Sequence, residues 1–482
     1  MSHHESPLIV DLDGSLIRTD LLYESFVRTL FTRPWALAFL PLWLFRGIAY
    51  LKYRLAQAID IDVSALPYNS SLLEFLREQK AQGRSLVLCT GANEGLAREV
   101  MDHLGIFDEI YATGITHNLT GERKAQFLRE RYGERGFSYV GNENRDLRVW
   151  RFARSAVVVG SSRALAENAA QVCQLENSFP TAAPTLSIYL RQVRIHQWVK
   201  NLLLFVPLVT SHQFLDAEAV TAALLAFVCF GLCASATYII NDIADLDSDR
   251  AHQKKRWRPL ASGMLSIRAG LLLCCLLLLA SGVLVTFLPP WFGAVLFLYL
   301  VTTLGYSFLL KRLQTVDTVV LAGLYTTRIL AGAAAIGVYP SYWLLAFSMF
   351  VFLCLALVKR ISEIYRKQGA DETSLQIRGR GYFTSDLPVL TSLASAAGMV
   401  SILVFAMYVN SAEVMGMYRS PMILWLACPL FAYWIIRMLV MASRGEIDED
   451  PIAFAIKDKR SWITGLVLGL VLAAASTMTI QG

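Results

Sequence analysis

Residues 241–250 read NDIADLDSDR, and they follow directly on a run of apolar residues over about 217–240. The run has the ~20 residues that a helix needs to cross a bilayer. Asp242, Asp245 and Asp249 are three and four positions apart, so a helix that continued beyond the membrane would carry all three carboxylates on one face. Because clustered carboxylates repel one another unless a cation neutralises them, the stretch predicts a Mg²⁺ site that can bridge phosphate oxygens. The alternative interpretation is an acidic helix end in solvent.

The chain from residue 197 onward repeats this pattern of long apolar segments. Charged residues make up 17% of the 482 residues, whereas soluble domains carry about 25%. This composition argues against a single cytosolic enzyme, and we predict an all-α membrane bundle of nine transmembrane helices. The predicted spans are 197–211, 217–240, 266–287, 291–309, 317–338, 341–361, 387–409, 420–442 and 461–480.

Basic residues are concentrated in every second connection between the predicted spans. The basic connections lie at about 250–258, 311–312, 359–380 and 444–460, and the intervening ones contain Arg419 alone. By the positive-inside rule, the basic connections and the N-terminal region face the cytoplasm. An odd number of spans then puts the C-terminus outside, in a multi-pass protein of the plasma or inner membrane.

Further polar residues at the ends of the predicted spans are candidates for the same site. They are Lys254 and Arg258 in the loop after it, Asn241 at its start, and Arg194, Gln197, Lys200 and Asn201 at the start of the first predicted span. At 100° per residue, Arg194, Gln197 and Asn201 share one helix face. The cations are candidates for holding the oxygens of a metal diphosphate. Membrane topology alone, or interfacial anchoring with Trp198, are the alternatives.

The first 175 residues have the composition of a soluble domain, with short apolar runs between helical stretches. The runs are Leu8–Val10, Ser85–Leu88, Glu109–Ala112, Ser138–Val140 and Ala156–Val159. This alternation predicts an α/β domain with a doubly wound parallel sheet. Ligands of such sheets bind at the carboxyl ends of the strands, so the residues after each run are the candidates for function.

Residues suited to phosphoryl chemistry follow these runs. Asp11 and Asp13 in DLDGS offer a nucleophile and a general acid/base, and Thr90 in LCTGA offers a hydroxyl to a phosphoryl oxygen. Lys124 in GERK can neutralise charge, and Asp146 in GNENRD can bind Mg²⁺. Together these residues predict a phosphate site at one edge of the sheet.

The order of these motifs resembles that of the haloacid dehalogenase superfamily over about residues 6–175. The resemblance implies Mg²⁺ held by Asp11, Asp146 and the main-chain carbonyl of Asp13, and an aspartyl phosphate on Asp11 that releases phosphate from a small phosphomonoester. Asn142 stands at the metal-site position where the family has Asp, which removes one anionic ligand. A degenerate domain with a structural or regulatory role is therefore the alternative to an active phosphatase.

The acidic stretch, the basic loop and the nine spans resemble the UbiA superfamily of intramembrane prenyltransferases over about residues 187–482. Asn241, Asp242, Asp245 and Asp249 match its first motif, NDxxDxxxD. The second Asp-rich motif that is usual in the family is replaced by a largely basic segment. That segment contains Glu363, Asp371 and Glu372 among Lys359, Arg360, Arg366, Lys367, Arg378 and Arg380. Basic side chains in that place indicate additional phosphate bound directly.

The runs Arg194–Pro207 (RxxQWxKNxLxFxP) and Tyr306–Arg312 (YSFLLKR) resemble the subfamily that transfers phosphoribose to a polyprenyl phosphate. The resemblance implies Mg²⁺-dependent transfer from phosphoribosyl diphosphate to a lipid such as decaprenyl phosphate, with release of diphosphate. The candidates for holding the lipid phosphate or the ribose 5-phosphate are Lys200, Lys311, Lys359 and Arg360, with Tyr306 as a further substrate contact. The N-terminal domain would then remove the 5-phosphate to leave polyprenyl-phosphoryl ribose.

Two other functions use the same residues differently. One is an aromatic prenyltransferase with a prenyl diphosphate donor, a quinone-type or phenolic acceptor, and a regulatory or unrelated phosphatase domain. The other is a transporter or lipid-binding scaffold. We expect the membrane bilayer to be a partner, and we expect no nucleic-acid partner. Lipid length, sugar identity and oligomeric state are open at this point.

A segment rich in aromatic and basic residues, Phe26–Leu55, lies between the first two phosphatase motifs, where the family places a helical cap. Its composition indicates a cap that touches the bilayer or the partner domain, and an ordinary buried cap core is the alternative. The predicted domains are 1–176, with the cap at about 18–80, and 188–482. The predicted linker is 177–187.

Overall fold

The structure is a computed structural model that describes residues 6–160, 162–181, 183–368, 381–411, 414, 416, 418–447 and 450–478. The chain divides into two compact units. The first unit is Met1–Val193 with Tyr238–Cys275, and the second unit is Arg194–Thr237 with Leu276–Gly482. The acidic motif therefore belongs to the same compact unit as the N-terminal domain. The predicted domain division of the sequence stays a prediction.

The first unit contains a six-stranded sheet in which every pair of neighbouring strands is parallel. Its strands are β1 (Leu8–Val10), β2 (Leu86–Asn93), β3 (Glu109–Thr113), β4 (Ser138–Gly141), β5 (Ser155–Gly160) and β6 (Gln174–Pro180), in the order β3-β2-β1-β4-β5-β6. The predicted doubly wound parallel sheet is confirmed. Strand β6 was not predicted, because its Gln, Glu, Asn and Ser residues obscure the apolar pattern, and it includes residues 177–180 of the predicted linker.

Nine α-helices lie in the described residues up to Val193, and some of them cover the two faces of this sheet. They are α1 (Leu21–Thr32), α2 (Leu40–Phe45), α3 (Ile48–Gln57), α4 (Ser70–Ala81), α5 (Glu94–Leu104), α6 (Glu122–Tyr132), α7 (Leu147–Trp150), α8 (Arg163–Val172) and α9 (Leu186–Val193). Leu72 and Leu76 of α4 are fully buried with Leu8 and Val10 of β1. Helix α4, which the sequence placed at the end of the cap, therefore packs on the sheet.

The remainder of the insertion forms a helical cap. Trp43, Leu51 and Leu55 make a small separate core, while Trp35 is 67% exposed and Phe45 is 90% exposed. These two exposed aromatic side chains fit the predicted contact with a bilayer better than an ordinary buried cap core. That contact stays a prediction.

Eleven further α-helices follow in the described residues, and most of them are long and apolar. They are α10 (Val206–Thr210), α11 (Ala217–Ala244), α12 (Leu246–Ala251), α13 (Ile267–Val285), α14 (Pro290–Phe308), α15 (Val316–Ala335), α16 (Tyr342–Gln368), α17 (Leu387–Val409), α18 (Ala427–Ser443), α19 (Pro451–Lys457) and α20 (Lys459–Thr477). Within the described residues, eight helices are long and apolar enough to cross a membrane. Eight such helices indicate an integral membrane protein.

The first of the nine predicted spans differs from the prediction. Residues 197–211 are not one α-helix: Ile195–Phe205 forms a 3-10 helix and α10 follows it. Pro207 in the first turn of α10 fits the break between the 3-10 helix and α10, because proline has no main-chain N–H to donate to a carbonyl four residues earlier. At ~2.0 Å per residue in the 3-10 part and ~1.5 Å in the α part, the segment extends over roughly 30 Å. That length matches a hydrocarbon core, so a ninth crossing stays a prediction.

Candidate active sites

The phosphatase motifs meet at the carboxyl edge of the sheet. Asp11 and Asp13 follow β1, and Asn142 and Asp146 follow β4, the strand beside it. The strand order reverses direction at this pair, which is where open α/β sheets bind ligands. All four residues, together with Lys124, line one cavity of about 400 Å³.

A buried lysine organises the carboxylates of this cavity. Lys124 Nζ donates to Asp11 Oδ1 at 2.7 Å and to the Tyr139 hydroxyl at 3.0 Å. The Tyr139 hydroxyl donates in turn to Asp146 Oδ1 at 3.2 Å. Burial lowers the pKa of Lys124, but Asp11, Cys89 and Asp146 together raise it by more, and the net effect is a pKa above the usual value. Lys124 is therefore a fixed positive charge beside the predicted nucleophile.

Asp146 is held rigidly by the turn that contains it. Its Oδ2 accepts the main-chain N–H groups of Asn142 and Glu143, both at 2.9 Å. Burial and the neighbouring Asp11 carboxylate raise the pKa of Asp146 to about 6. A Cβ at Gly141 would lie 2.6 Å from this carboxylate, so the close approach of strand and side chain requires glycine there.

Asp13 has the environment of a general acid. Its Oδ1 accepts the main-chain N–H of Leu21, at the start of α1, at 2.9 Å. Burial and the nearby Asp20 carboxylate raise the pKa of Asp13 well above its usual value. A carboxyl group with a raised pKa keeps its proton closer to neutral pH, as proton donation to a leaving oxygen requires.

Thr90 is not placed as the sequence suggested. Its side chain is fully buried, and its Oγ1 accepts the main-chain N–H of Ala92 at 3.0 Å. The cavity wall at this strand is formed by Gly91, Ala92 and Asn93. The strand end thus offers main-chain groups, rather than the Thr90 hydroxyl, to a ligand.

Two cations in the cavity were missed as site residues by the sequence analysis. Lys52 of α3 donates to the Gly91 carbonyl at 2.6 Å and to Asn118 Oδ1 at 3.1 Å, and burial lowers the pKa of Lys52. Arg268 of α13 also lines the cavity. The basic residues of the cap were a usable signal for Lys52, whereas the large sequence separation hid Arg268.

The oxygen-rich lining of this cavity suits Mg²⁺. Asp11, Asp13 and Asp146 supply carboxylates, and Asn142 supplies an amide that accepts the Ser15 hydroxyl at 3.2 Å through its Oδ1. Throughout the described parts of the chain, however, no three His, Cys, Asp or Glu side chains converge closely enough to hold a metal ion. The donor types fit Mg²⁺, and the carboxylates would have to move closer together to hold the ion.

The helix that was predicted to continue through the acidic motif is interrupted at a single residue. Helix α11 ends at Ala244, Asp245 has φ −98° and ψ 14°, and α12 starts at Leu246. The backbone N–H of Asp245 still bonds to the carbonyl of Asn241 at 2.9 Å, and that of Asp249 bonds to the carbonyl of Asp245 at 2.8 Å, so the hydrogen bonds typical of an α-helix continue across the interruption. Asp242 and Asp249 are buried on the two sides of it, and Asp245 is half-buried between them.

Arg258 neutralises two of these carboxylates. Its Nη1 donates to Asp242 Oδ1 at 3.1 Å and to Asp249 Oδ2 at 2.5 Å. Burial raises the pKa of Asp249, against the lowering effect of the Arg258 guanidinium. Lys254, the other predicted ligand in this loop, is exposed. The structure thus brings Arg258 to the motif and leaves Lys254 at the surface.

Three oxygens around the motif test whether a metal ion fits there. Asn241 Oδ1, Asp249 Oδ1 and Gln192 Oε1 are buried and have no hydrogen-bond partner. Gln192 Nε2 donates to Asp242 Oδ2 at 2.9 Å, which ties α9 to the motif, and Lys255 Nζ lies 3.9 Å from Asp249 Oδ1. Buried acceptors without donors are costly, and a hard cation satisfies them. The chemistry of the motif therefore fits Mg²⁺.

The second unit brings together two lysines that were predicted to bind phosphate. Lys200 Nζ and Lys359 Nζ lie 3.1 and 3.3 Å from the same oxygen, Asp450 Oδ2, to which the Tyr325 hydroxyl also donates at 2.7 Å. Burial raises the pKa of Asp450, but the two ammonium groups and the Tyr325 hydroxyl together lower it by more, so Asp450 is a fixed anion. Asp450 was missed because it lies in an acidic loop without a motif.

Arg360 is part of a buried network. Its side chain has no exposed surface, and it donates to Asp317 at 2.7 Å, to Glu363 at 2.5 Å and to the Tyr306 hydroxyl at 3.1 Å. Its neighbour Tyr306 is thereby placed as a partner of Arg360. Arg360 was predicted to hold substrate phosphate, and in this structure its charge is already balanced. Lys311, in the short 3-10 helix Leu310–Arg312, is half-buried.

The polar residues at the start of the first predicted span do not share one face. In a 3-10 helix successive residues are separated by about 120°, so the 100° rule fails for Gln197 and Asn201. Asn201 is buried and accepts the Arg328 guanidinium at 3.1 Å. Arg194 takes left-handed backbone angles immediately before the 3-10 helix, and Gln197 is half-buried.

Part of the basic segment that replaces the second Asp-rich motif lies outside the described residues. Asp371, Glu372, Arg378 and Arg380 fall in that part, as does the side chain of Lys367. Glu363 and Arg366 are described, and Glu363 pairs with Arg360 as above.

Two family models match the chain. The model for the UbiA prenyltransferase family matches residues 203–464, and the model for haloacid dehalogenase-like hydrolases matches residues 8–151. The N-terminal domain is thus haloacid dehalogenase-like, in agreement with the sheet and its motifs. Both resemblances drawn from the sequence are confirmed.

Three relatives extend these matches. An uncharacterized protein of Sinorhizobium fredii is 37% identical over 97% of this chain and 91% of its own length. A nodulation protein of Azorhizobium caulinodans is 35% identical, and a decaprenyl-phosphate phosphoribosyltransferase of Mycolicibacterium smegmatis is 31% identical; each alignment covers 59% of this chain and 92% of the relative. Because one family model covers more than half of the chain and these relatives are matched along nearly their whole length, the chain is a transferase that belongs to the UbiA prenyltransferase family.

Proposed function

We propose that the protein transfers 5-phosphoribosyl from phosphoribosyl diphosphate to a polyprenyl phosphate, and that its N-terminal domain then removes the 5-phosphate. The similarity to a protein named decaprenyl-phosphate phosphoribosyltransferase supports the first reaction. The observation that carries the two-step reaction is that the phosphatase cavity and the acidic motif belong to one compact unit. A product made at the acidic motif would therefore have a phosphatase in the same unit.

In the first reaction, the bond between ribose C1 and the diphosphate oxygen breaks, and an oxygen of the lipid phosphate forms a bond to C1. Mg²⁺, when held by Asp242, Asp245 and Asp249, supplies positive charge to the departing diphosphate. Arg258 lies on the same carboxylates and can pass to the diphosphate oxygens as they approach. Lys200 and Lys359, gathered on Asp450, are the cations proposed for a second phosphate.

In the second reaction, Asp11 attacks the phosphorus of the 5-phosphate and the P–O bond to ribose breaks. Asp13, with its raised pKa, gives its proton to the leaving oxygen. Asp13 then takes a proton from the water that hydrolyses the aspartyl phosphate, and inorganic phosphate leaves. Lys124 holds the attacking carboxylate in place throughout. Mg²⁺ would be held here by Asp11, Asp146, Asn142 and the Asp13 carbonyl.

The proposed membrane orientation follows from charge. The basic connections and the N-terminal domain face the cytoplasm. A crossing by residues 195–210 would make nine and put the C-terminus outside. Cysteine labelling from each side of sealed vesicles, at single cysteines in the loops, tests this arrangement.

The test of the function is mass analysis of lipid after the purified full chain is incubated with Mg²⁺, polyprenyl phosphate and labelled phosphoribosyl diphosphate. The wild-type protein is expected to yield ribosylated lipid without the 5-phosphate, and Asp11→Asn to accumulate the phosphorylated lipid. Accumulation of dephosphorylated lipid in the variant would contradict the phosphatase role. Absence of any ribosylated lipid would contradict the transfer.

A further inference from the structure

A segment of the transferase sequence is fixed on the cap of the phosphatase by buried charges. Glu24 of α1 is completely buried, and it accepts Arg28 of the same helix at 2.6 Å and Arg250 of α12 at 2.6 Å. Arg28 also pairs with Asp247 of α12. Removal of a partner from such a buried network leaves an uncompensated charge, so this contact is a firm one.

The chain after α12 is held on the same surface. Arg250 Nε donates to the Ala261 carbonyl at 3.2 Å. Gly263 has φ +72°, and a Cβ at this position would lie 2.6 Å from Arg18 Cβ and 2.7 Å from the Arg18 carbonyl oxygen. Glycine is therefore needed both for the backbone angle and for the close approach. Helix α13 begins four residues later, at Ile267.

This path brings Arg268 to the phosphatase cavity. Arg268 lines the cavity together with Asp11, Lys124 and Arg145, and its side chain is exposed. Among the described residues, no hydrogen bond or ion pair engages the Arg268 guanidinium. Lys124, by contrast, is occupied by Asp11, and Arg145 lies 4.0 Å from Glu143. Arg268 is thus a cation that a ligand can use without breaking a contact.

We propose that Arg268 is a specificity residue of the phosphatase, which binds a second phosphate of the substrate while the first one reacts at Asp11. The inference rests on the proposed function, because the phosphoribosylated lipid has a terminal monoester and a phosphodiester at ribose C1. An arginine presents paired N–H donors that suit a phosphodiester. The transferase segment would then complete the phosphatase site, and free sugar monophosphates would bind more weakly.

The experiment compares two soluble probes on the full chain in detergent with Mg²⁺, by calorimetry. One is ribose 5-phosphate, and the other is ribose 5-phosphate with a short alkyl phosphodiester at C1. All proteins contain Asp11→Asn so that neither probe is hydrolysed. Arg268→Ala is expected to weaken the diester probe about tenfold and ribose 5-phosphate less than twofold, and Arg268→Lys to weaken the diester less than Arg268→Ala does.

Arg77→Ala, an exposed arginine on α4 outside the cavity, is the matched control and should leave both affinities unchanged. Equal weakening of the two probes by Arg268→Ala, or no weakening, would overturn the inference. The readout does not depend on ribosyl transfer, so a failure of the transfer assay and a failure of this inference are distinguishable.

Discussion

The two acidic sites of the first unit neutralise their carboxylates with different cations. In the phosphatase cavity, Lys124 is buried and bonds to one oxygen of Asp11. At the acidic motif, Arg258 has 28% of its side chain exposed and one nitrogen, Nη1, bonds to both Asp242 and Asp249. A buried lysine is a fixed part of its site, whereas a partly exposed arginine can leave for a ligand. The charge pairing in the phosphatase cavity is therefore expected to stay the same when substrate binds. At the acidic motif, the pairing with Arg258 is expected to change.

The two sites also differ in how many of their buried side-chain oxygens lack a hydrogen bond. Both oxygens of Asp146 accept hydrogen bonds from Tyr139 or from main-chain N–H groups. At the acidic motif, Asn241 and Asp249 each keep a buried oxygen without a hydrogen bond. Unsatisfied buried acceptors are costly, so ligand binding has more to gain at the motif.

The largest expected effect is a loss of ribosyl transfer without a loss of phosphatase activity. Asp249→Asn is expected to lower ribosyl transfer roughly a thousandfold, as loss of about 4 kcal/mol of charge stabilisation would do. Hydrolysis of ribose 5-phosphate by the same variant should change less than twofold, because the Asp11 cavity keeps its own cation. Both rates are measured on one preparation of the full chain.

Asp102→Asn, the same change at an exposed carboxylate on α5 away from both sites, is the matched control. Retained transfer in Asp249→Asn would contradict the role of the motif. A parallel loss of both activities would show instead that the substitution unfolds the first unit.

Strands and helices that show a local pattern of apolar residues could be predicted from the sequence. Five of the six strands and eight of the nine predicted spans correspond to elements of the structure, because apolar runs of fixed length carry this information. Strand β6 was missed because an edge strand with polar residues shows no apolar run. The irregular segment 195–210 was missed because the period of 3.0 residues in a 3-10 helix is close to the 3.6 residues of an α-helix and is hard to distinguish from it over eleven residues.

The candidate sites were predictable where residues follow a strand or repeat along a helix. Asp11, Lys124 and Asp146 meet as their positions at strand ends and helix starts suggested. The partners of Arg360 and the position of Arg268 were not predictable, because they depend on contacts between distant parts of the chain. Burial decides whether a cation is part of a network or available to a ligand, and burial is a tertiary property.

A smaller effect tests whether Arg258 competes with metal for the motif. Arg258→Gln is expected to tighten Mn²⁺ binding at the motif about tenfold, because both carboxylates lose the guanidinium that neutralises them. Paramagnetic titration of Mn²⁺ measures this, with Asp11→Asn present to weaken the other metal site. Arg256→Gln, an exposed neighbour in the loop that stacks on Trp257, should have no effect.

Weaker Mn²⁺ binding in Arg258→Gln would show that Arg258 organises the motif for metal and does not compete with it. The contrast with Lys124 would then fail, because both cations would be fixed parts of their sites.

The smallest expected effect concerns the one metal-site position in the phosphatase that departs from its family. Asn142→Asp is expected to lower the Mg²⁺ concentration for half-maximal hydrolysis of ribose 5-phosphate about fivefold, since a carboxylate binds Mg²⁺ more strongly than an amide. The Ser15 hydroxyl, which donates to Asn142 Oδ1 at 3.2 Å, has the same acceptor in the variant. Asn144→Asp adds the same charge on an exposed position of the same turn and controls for charge alone.

An equal shift in both variants would mean that Asn142 acts through the local potential and not as a ligand. Asp11 and Asp146 would then be the side chains that hold the metal in the phosphatase cavity. In that case the phosphatase cavity and the acidic motif would both hold metal through aspartates, and they would differ only in the cation that neutralises them, Lys124 in one and Arg258 in the other.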